Sequence, residues 1–164
     1  MNTPATPSNP TATNTSSTAK PCVYCTLPEI RAREIACNAL AWAFPTNIPI
    51  VPGHTLVSPL RCAKTLADLT HDERLAILDL ADAIMTSLRT TYGAEGFNCV
   101  WNQEKLAGQS VPHFHLHIVP RKEGDTGLLG YDPRSMLYRT GDREPTPEAE
   151  LAQVRDLIKG NLPK

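Results

Sequence analysis

Gly108-Gln109-Ser110-Val111-Pro112-His113-Phe114-His115-Leu116-His117-Ile118-Val119-Pro120-Arg121 decides how the rest of this 164-residue chain is read. Three of the five histidines stand here at two-residue spacing, separated by Phe114, Leu116 and Ile118. Successive side chains of a strand point to opposite faces, so a strand would carry three imidazoles on one face and three large apolar groups on the other. On a helix the same residues would fall all round the axis. The pattern therefore predicts a strand. Taken alone, His-x-His-x-His also fits an exposed strand face or an adventitious metal site, because imidazole is a common metal ligand.

Working outward, residues 104–109 read as a turn-like loop and residues 98–103 as a preceding strand, so this strand and the histidine strand form a hairpin. Residues 55–58 are another strand, ended by Pro59. The proline-rich residues 45–53 cannot be a central strand, since proline has no ladder donor. Residues 34–38 and 41–44 read as two short strands joined around Ala39-Leu40. Thr70-His71-Asp72-Glu73 is a capping box that opens a helix. Leu75, Leu78, Ala81, Met85, Leu88 and Tyr92 recur on it at three- and four-residue steps, which predicts one buried face, with Gly93 as the stop. His71, in its first turn, is expected to be solvated. Thr146-Pro147-Glu148 opens a last helix through Leu151, Val154, Leu157 and Ile158. The layout is α+β: a two-layer fold with an antiparallel sheet of about five strands and helices packed on one side.

Composition narrows the function classes. A net charge of −1 gives no electrostatic footprint for nucleic acid or a membrane surface, and no apolar run approaches a membrane span. The N-terminus lacks the layout of a secretory signal, and five cysteines is an odd number. Reduced thiols or a metal site are expected rather than a disulfide framework, with the cytoplasm as compartment. Residues 1–20, almost all Asn, Thr, Pro, Ala and Ser, cannot bury enough apolar surface to offset ordering entropy and are expected to be a disordered tail. The divisions expected are that tail, a domain over residues 21–124, and a C-terminal extension over 125–164.

The stretch from His113 to Val119 resembles the signature of the histidine triad (HIT) family of nucleotide hydrolases and transferases. Gly-Gln-Ser before it and Pro-Arg after it are also similar to the family. So are Pro52-Gly53-His54-Thr55-Leu56-Val57 and Gly96-Phe97-Asn98 followed by Asn102. The resemblance runs from about Cys22 to about Arg121 and implies the two-layer fold already outlined, as a homodimer. It also implies an enzyme, a hydrolase or nucleotidyltransferase cleaving phosphoanhydride or phosphoramidate bonds at the α-phosphate of dinucleoside polyphosphates or nucleoside phosphoramidates. The long segment after the triad is more similar to the dinucleoside-polyphosphate branch.

Imidazole suits this chemistry. Its pKa near 7 makes it a good nucleophile toward phosphorus, and neighbouring donors can stabilise charge on the phosphoryl oxygens. The resemblance implies His115 as the nucleophile that becomes nucleotidylated, with His117 and His54 on the transferring phosphate and His113 orienting the site or ligating zinc. It places Asn102, Gln109 and Ser110 at phosphate, ribose and leaving group. Ordinary loop hydrogen bonding is the plainer account of those three.

Two positions depart from the family pattern. Thr46 stands where many members carry an acidic residue for the ribose hydroxyls. Cys62, after Arg61, stands where metal-binding members carry a histidine. Cysteine is itself a good zinc ligand, so a structural zinc held by Cys22, Cys25, Cys62 and His113 is expected, with no organic cofactor. Cys62 as a small buried hydrophobe is the alternative. The rival to an enzyme is a non-catalytic nucleotide- or zinc-binding module of the same fold; the complete set of His113, His115 and His117 argues against it.

Overall fold

A computed structural model describes residues 21–125 and 144–164. The expected N-terminal tail, and most of the segment between the histidine strand and the last helix, lie outside the described residues. The described elements run α1 (Val23–Thr26), α2 (Pro28–Arg31), β1 (Ala36–Cys37), β2 (Ala41–Pro45), β3 (Thr55–Pro59), α3 (His71–Tyr92), β4 (Gly96–Val100), β5 (Leu116–Arg121) and α4 (Glu148–Gly160). The five strands form one antiparallel sheet in the order β1-β2-β3-β5-β4.

Pairing assigns the two faces. Phe44 is opposite Leu56, Leu56 opposite His117 and His117 opposite Val100, so these four share one face. Ala43, Val57 and Leu116 are partners on the other. That second face is the main core: Ala41, Ala43, Val57, Phe114, Leu116 and Ile118 pack with Ile77, Leu80, Ile84 and Leu88 of α3 and with Ile158 of α4. The first face carries Trp42, Phe44 and Leu56, which pack with Ile30, Val23 and Tyr24 from the short turns α1 and α2. The two long helices thus occupy one side of the sheet. The other side is left for the site.

The capping box is present: Thr70 Oγ1 accepts from the Glu73 N–H at 3.1 Å, and Glu73 Oε2 accepts from the Thr70 N–H at 2.8 Å. Gly93 ends α3 in the left-handed region (φ 66°). His71 is exposed, as expected. The face of α3 needs correction. Leu75 and Leu78, expected inside, are 47% and 59% exposed, whereas Ile77, Leu80, Ala81, Ile84 and Leu88 are buried. Both rows of residues have three- and four-residue spacing, so periodicity alone could not choose between them. A one-sided ion pair accompanies this phase: the half-exposed Arg61 donates to both carboxylate oxygens of buried Glu73 (2.9 and 2.8 Å), and Glu73 starts the row that continues through Ile77, Leu80 and Ile84. The same arginine, ahead of the penalty of burial, holds the Glu73 carboxyl below its usual range.

Two strand limits also move. The predicted fourth strand at 98–103 lies instead at Gly96–Val100, because its partner β5 pairs only as far as His117, opposite Val100. The histidine strand begins later than expected, at Leu116. Phe114 N–H donates to Ala63 O at 2.6 Å and Phe114 O accepts from Ser58 Oγ at 2.7 Å, so loop and side-chain partners replace the ladder there. His113 and His115 therefore precede the strand.

Gly53 has φ +86°, and a β-carbon there would lie 2.8 Å from Tyr92 Cδ2 and 3.1 Å from Leu88 Cδ2. Gly53→Ala combines a left-handed backbone penalty with overpacking against α3, together a loss of roughly 2–4 kcal/mol. Urea unfolding at unchanged m-value checks it; a loss under about 0.5 kcal/mol would mean that the turn before His54 yields freely.

Candidate active site

The imidazoles are ordered by their hydrogen-bond partners. His54 Nδ1 accepts from the Ile50 N–H at 3.2 Å, so the neutral ring carries its proton on Nε2, which lies 3.0 Å from His117 Nδ1. His54 therefore donates and His117 Nδ1 accepts, which leaves His117 with an Nε2–H as its second group. His115 Nδ1 lies 2.7 Å from His113 O and must donate to it, so the His115 Nε2 lone pair is free. His113 Nε2 likewise donates to Pro59 O at 3.0 Å. Its Nδ1 lone pair faces Cys22 Sγ (3.2 Å) and Cys25 Sγ (3.5 Å). Consecutive triad members thus have opposite tautomeric roles, each fixed by the chain.

Burial keeps the three triad rings uncharged. Loss of water lowers the His115 pKa below the ordinary imidazole value, against the opposing bond to His113 O. Burial first, and then neighbouring His115, bring His117 down to about 3. At neutral pH His115 is a free base and His117 a neutral donor.

A cavity of about 530 Å³ lies over these groups, lined by His54, His115, His117, Asn102, Ser110 and Thr46 among others. Six of the eight residues that sequence reasoning assigned to catalysis or substrate are thereby brought together. Val23, Leu27, Ile30, Phe44, Ile48, Ile50 and Leu56 give the cavity an apolar wall. A volume of this size with one apolar wall and a few convergent polar groups suits a single nucleotide. Gln109 lies beside it rather than in it. Its amide oxygen accepts from the Glu104 N–H at 2.7 Å and its Nε2 donates to Lys64 O at 2.8 Å. It lines an adjoining cavity with Lys64, Thr65, Lys105, Gly108 and Ser110, and Gly108 and Ser110 belong to both. Glu104 itself has φ 69° and ψ 164°, a region costing a non-glycine residue about 1–3 kcal/mol, and Gln109 secures that turn.

His113 stands apart with the cysteines. The ligand atoms of Cys22, Cys25, Cys62 and His113 all lie within 4.8 Å of one another. Desolvation, then Cys22, pushes the Cys25 thiol up to about 12, and the same causes raise Cys62. Thiols crowded this way give up their protons readily only to a cation. Three sulfurs and one imidazole nitrogen at this spacing suit a closed tetrahedral Zn²⁺ site.

Several lining residues were not legible in the sequence. Tyr24, inside the C-x-x-C, sets its ring 5.6 Å from both His113 and His115 and edge-on to Phe44. Glu29, Arg33, Asn47 and Glu148 also line the first cavity. Only the odd placement of an aromatic between two ligand cysteines could have flagged Tyr24; nothing flagged Glu148.

The model of the HIT domain matches residues 28–124. A HIT-like protein of Mycoplasma genitalium is 38% identical over 117 residues, which cover 70% of this chain and 82% of that protein. The chain belongs to the histidine triad family. A second member, the bis(5'-adenosyl)-triphosphatase of Dictyostelium discoideum, is 30% identical over 131 residues, 76% of this chain and 85% of that one. Among solved structures, a Zn-bound histidine triad family protein from Mycobacterium smegmatis is 25% identical with a TM-score of 0.64, covering 85% of this chain and 94% of the other. The HIT match takes in the triad, His54 and Cys62 but leaves out Cys22, Cys25 and α4.

Proposed function

We propose that this HIT protein is a nucleotidyl hydrolase or transferase that cleaves at the α-phosphate of dinucleoside polyphosphates or nucleoside phosphoramidates through a covalent nucleotidyl group on His115. The observation that carries the reading is the His115 ring, its Nδ1–H spent on His113 O and its Nε2 lone pair left for the cavity. Nε2 attacks phosphorus as the bond to the leaving group breaks, a polyphosphate departing as its anion and an amine taking a proton from solvent as it leaves, and the imidazolium formed keeps its Nδ1–H on a carbonyl dipole. His117 Nε2–H, oriented by His54, donates to a phosphoryl oxygen. Water then attacks, the P–N bond breaks, the water proton passes to solvent, and a nucleoside monophosphate is released. Lys64 and Lys105 in the adjoining cavity favour a polyphosphate leaving group over a neutral amine. The Dictyostelium relative's named activity points the same way.

Incubation with a dinucleoside polyphosphate, an acid-free quench and peptide mass spectrometry test the proposal. A mass gain of one nucleotidyl group on the His115 peptide is expected. Nucleotide binding with no turnover of polyphosphates, adenylyl sulfate or phosphoramidates would favour the binding-module alternative. Zinc bound by Cys22, Cys25, Cys62 and His113 would be structural: it would fasten the N-terminal turns to the triad and take no part in the phosphoryl step. We also place the chain as a homodimer in the cytoplasm. Exposed Leu75 and Leu78, close together on α3, support an apolar interface, and three cysteines grouped for a metal rather than for disulfides support a reducing compartment. Among the described residues no helix is long and apolar enough to cross a membrane.

Thr46 lines the cavity with a hydroxyl that already accepts, at 3.4 Å, from the Ile48 N–H. Thr46→Asp should raise the preference for ribo- over deoxynucleotides about tenfold, because charge-assisted bonds to hydroxyls contribute roughly 1.5–3 kcal/mol. An unchanged ratio of dissociation constants would mean that residue 46 does not face the sugar.

A further inference from the structure

One residue in the lining of the first cavity lies beyond the C-terminal end of the HIT match. Glu148, the first residue of α4, lines it together with Thr46, Asn47 and Arg33. The matched domain ends at residue 124, so this carboxylate comes from the C-terminal extension. Three contacts hold it in place. Arg33 grips it with two parallel bonds, from Nε at 3.0 Å and from Nη2. The Thr146 N–H donates to Asn47 O at 2.7 Å, and Arg155 Nη1 donates to Ala32 O at 2.7 Å. The Arg33 side chain is only 11% exposed, whereas that of Glu148 is 57% exposed. The arginine is packed into the wall while the carboxylate it holds remains accessible.

We propose that Glu148 is the residue that reads the sugar of the bound nucleotide, accepting hydrogen bonds from its vicinal hydroxyls. The proposal rests on the nucleotide reading of this cavity and goes beyond it by assigning the specificity contact. Main-chain bonds give the path. His54, which orients His117, accepts from the Thr46 N–H through its own carbonyl at 3.2 Å. Asn47 then accepts from Thr146, two residues before Glu148. The sugar is the part of a nucleotide next to the phosphorus, so Thr46, one main-chain bond from His54, marks sugar distance; Asn47 beside it ties down the start of α4, Glu148 lines the same cavity, and the apolar wall is left for the base. A carboxylate is acceptor-only and keeps lone pairs beyond the two that Arg33 takes, which matches the two donors of a cis-diol. Being held already, it loses little side-chain freedom on binding. Thr46, one hydroxyl wide, cannot offer that. Glu29 is also on the rim, but among the described residues no arginine holds it.

The test is calorimetric titration of the full chain with adenosine 5′-monophosphate and its 2′-deoxy counterpart. Wild type, Glu148→Gln, Glu150→Gln and the double variant Glu148→Gln/Thr46→Asp are compared. Glu148→Gln should weaken the ribonucleotide about tenfold and leave the deoxynucleotide within about twofold. Glu150→Gln, an exposed carboxylate of the same helix turn outside the cavity lining, should leave both near wild type. The double variant should regain most of the ribo preference, which a merely structural clasp would not do. Equal weakening of both ligands, or no change in either, overturns the proposal. If wild type binds neither ligand, the nucleotide reading itself fails, and the two failures are distinguishable.

Discussion

His115→Ala is expected to lower turnover by ~10³-fold or more while nucleoside monophosphate affinity changes by less than about tenfold, or 1.4 kcal/mol. The asymmetry follows from the geometry. His115 is 4% exposed, and its free Nε2 is the only group it offers the cavity. On the proposed reading, binding would be spread over the apolar wall, Asn102, Ser110 and the polar edge near Thr46, all of which line the cavity. Removing the ring deletes the group that would bond to phosphorus but few of the contacts that hold a ground-state nucleotide. His117→Ala should behave differently. It removes a donor to the phosphoryl oxygen and leaves the nucleophile, so turnover falls while a nucleotidyl-His115 adduct still forms. Turnover and calorimetry on the same preparations check both. Near-normal turnover in His115→Ala would end the covalent mechanism.

Much of this site is legible because the chemistry is local in the chain. Alternation from His113 to Ile118 separates imidazoles from core, and the structure buries Phe114, Leu116 and Ile118 against α3 as that alternation requires. What alternation does not carry is the exit from the ladder. Ser58 and Ala63, more than fifty residues upstream, capture the backbone of Phe114 and set His113 and His115 ahead of the strand. His113 is consequently directed to the cysteines while His115 and His117 face the cavity. The phase of α3 escaped for a similar reason. Leu75/Leu78 and Ile77/Leu80 are equivalent to any periodicity, and the choice goes with distant contacts: the sheet residues that take Ile77 and Leu80, and Arg61 of the preceding loop reaching Glu73. Glu148 is the extreme case. A glutamate in the first turn of a helix reads as a favourable partner for the helix dipole. Only the folded position of α4 against Asn47 and Arg33 brings it to the cavity. Contacts between distant segments carry information that a single sequence does not print.

The cysteine cluster yields the second large effect. Protein purified without a histidine tag should carry about one equivalent of zinc, and its removal by a chelator should lower stability by about 3 kcal/mol or more before turnover is lost. Cys22 and Cys25 flank Tyr24, whose ring packs on Phe44, His113 and His115, so a metal bridging the cysteines to His113 would pin α1 over the triad. Without a cation, only the weak thiol contacts of Cys22 and Cys25 to His113 Nδ1 (3.2 and 3.5 Å) cross the cluster, and burial pushes the Cys25 thiol up to about 12. The ring proposed as nucleophile is a step removed. His115 is held by the main-chain carbonyl of His113, and His113 is also held by its bond to Pro59 O, so moderate loosening of the cysteines leaves the His115 tautomer in place. Elemental analysis and thermal unfolding of wild type and Cys62→Ser separate the possibilities. Less than about a tenth of an equivalent in wild type would rule the site out. A full equivalent in Cys62→Ser would keep the metal but remove Cys62 from its shell, and a sharp loss of both zinc and thermal stability in that variant is the expected result, because a hydroxyl is a poor replacement for thiolate on zinc.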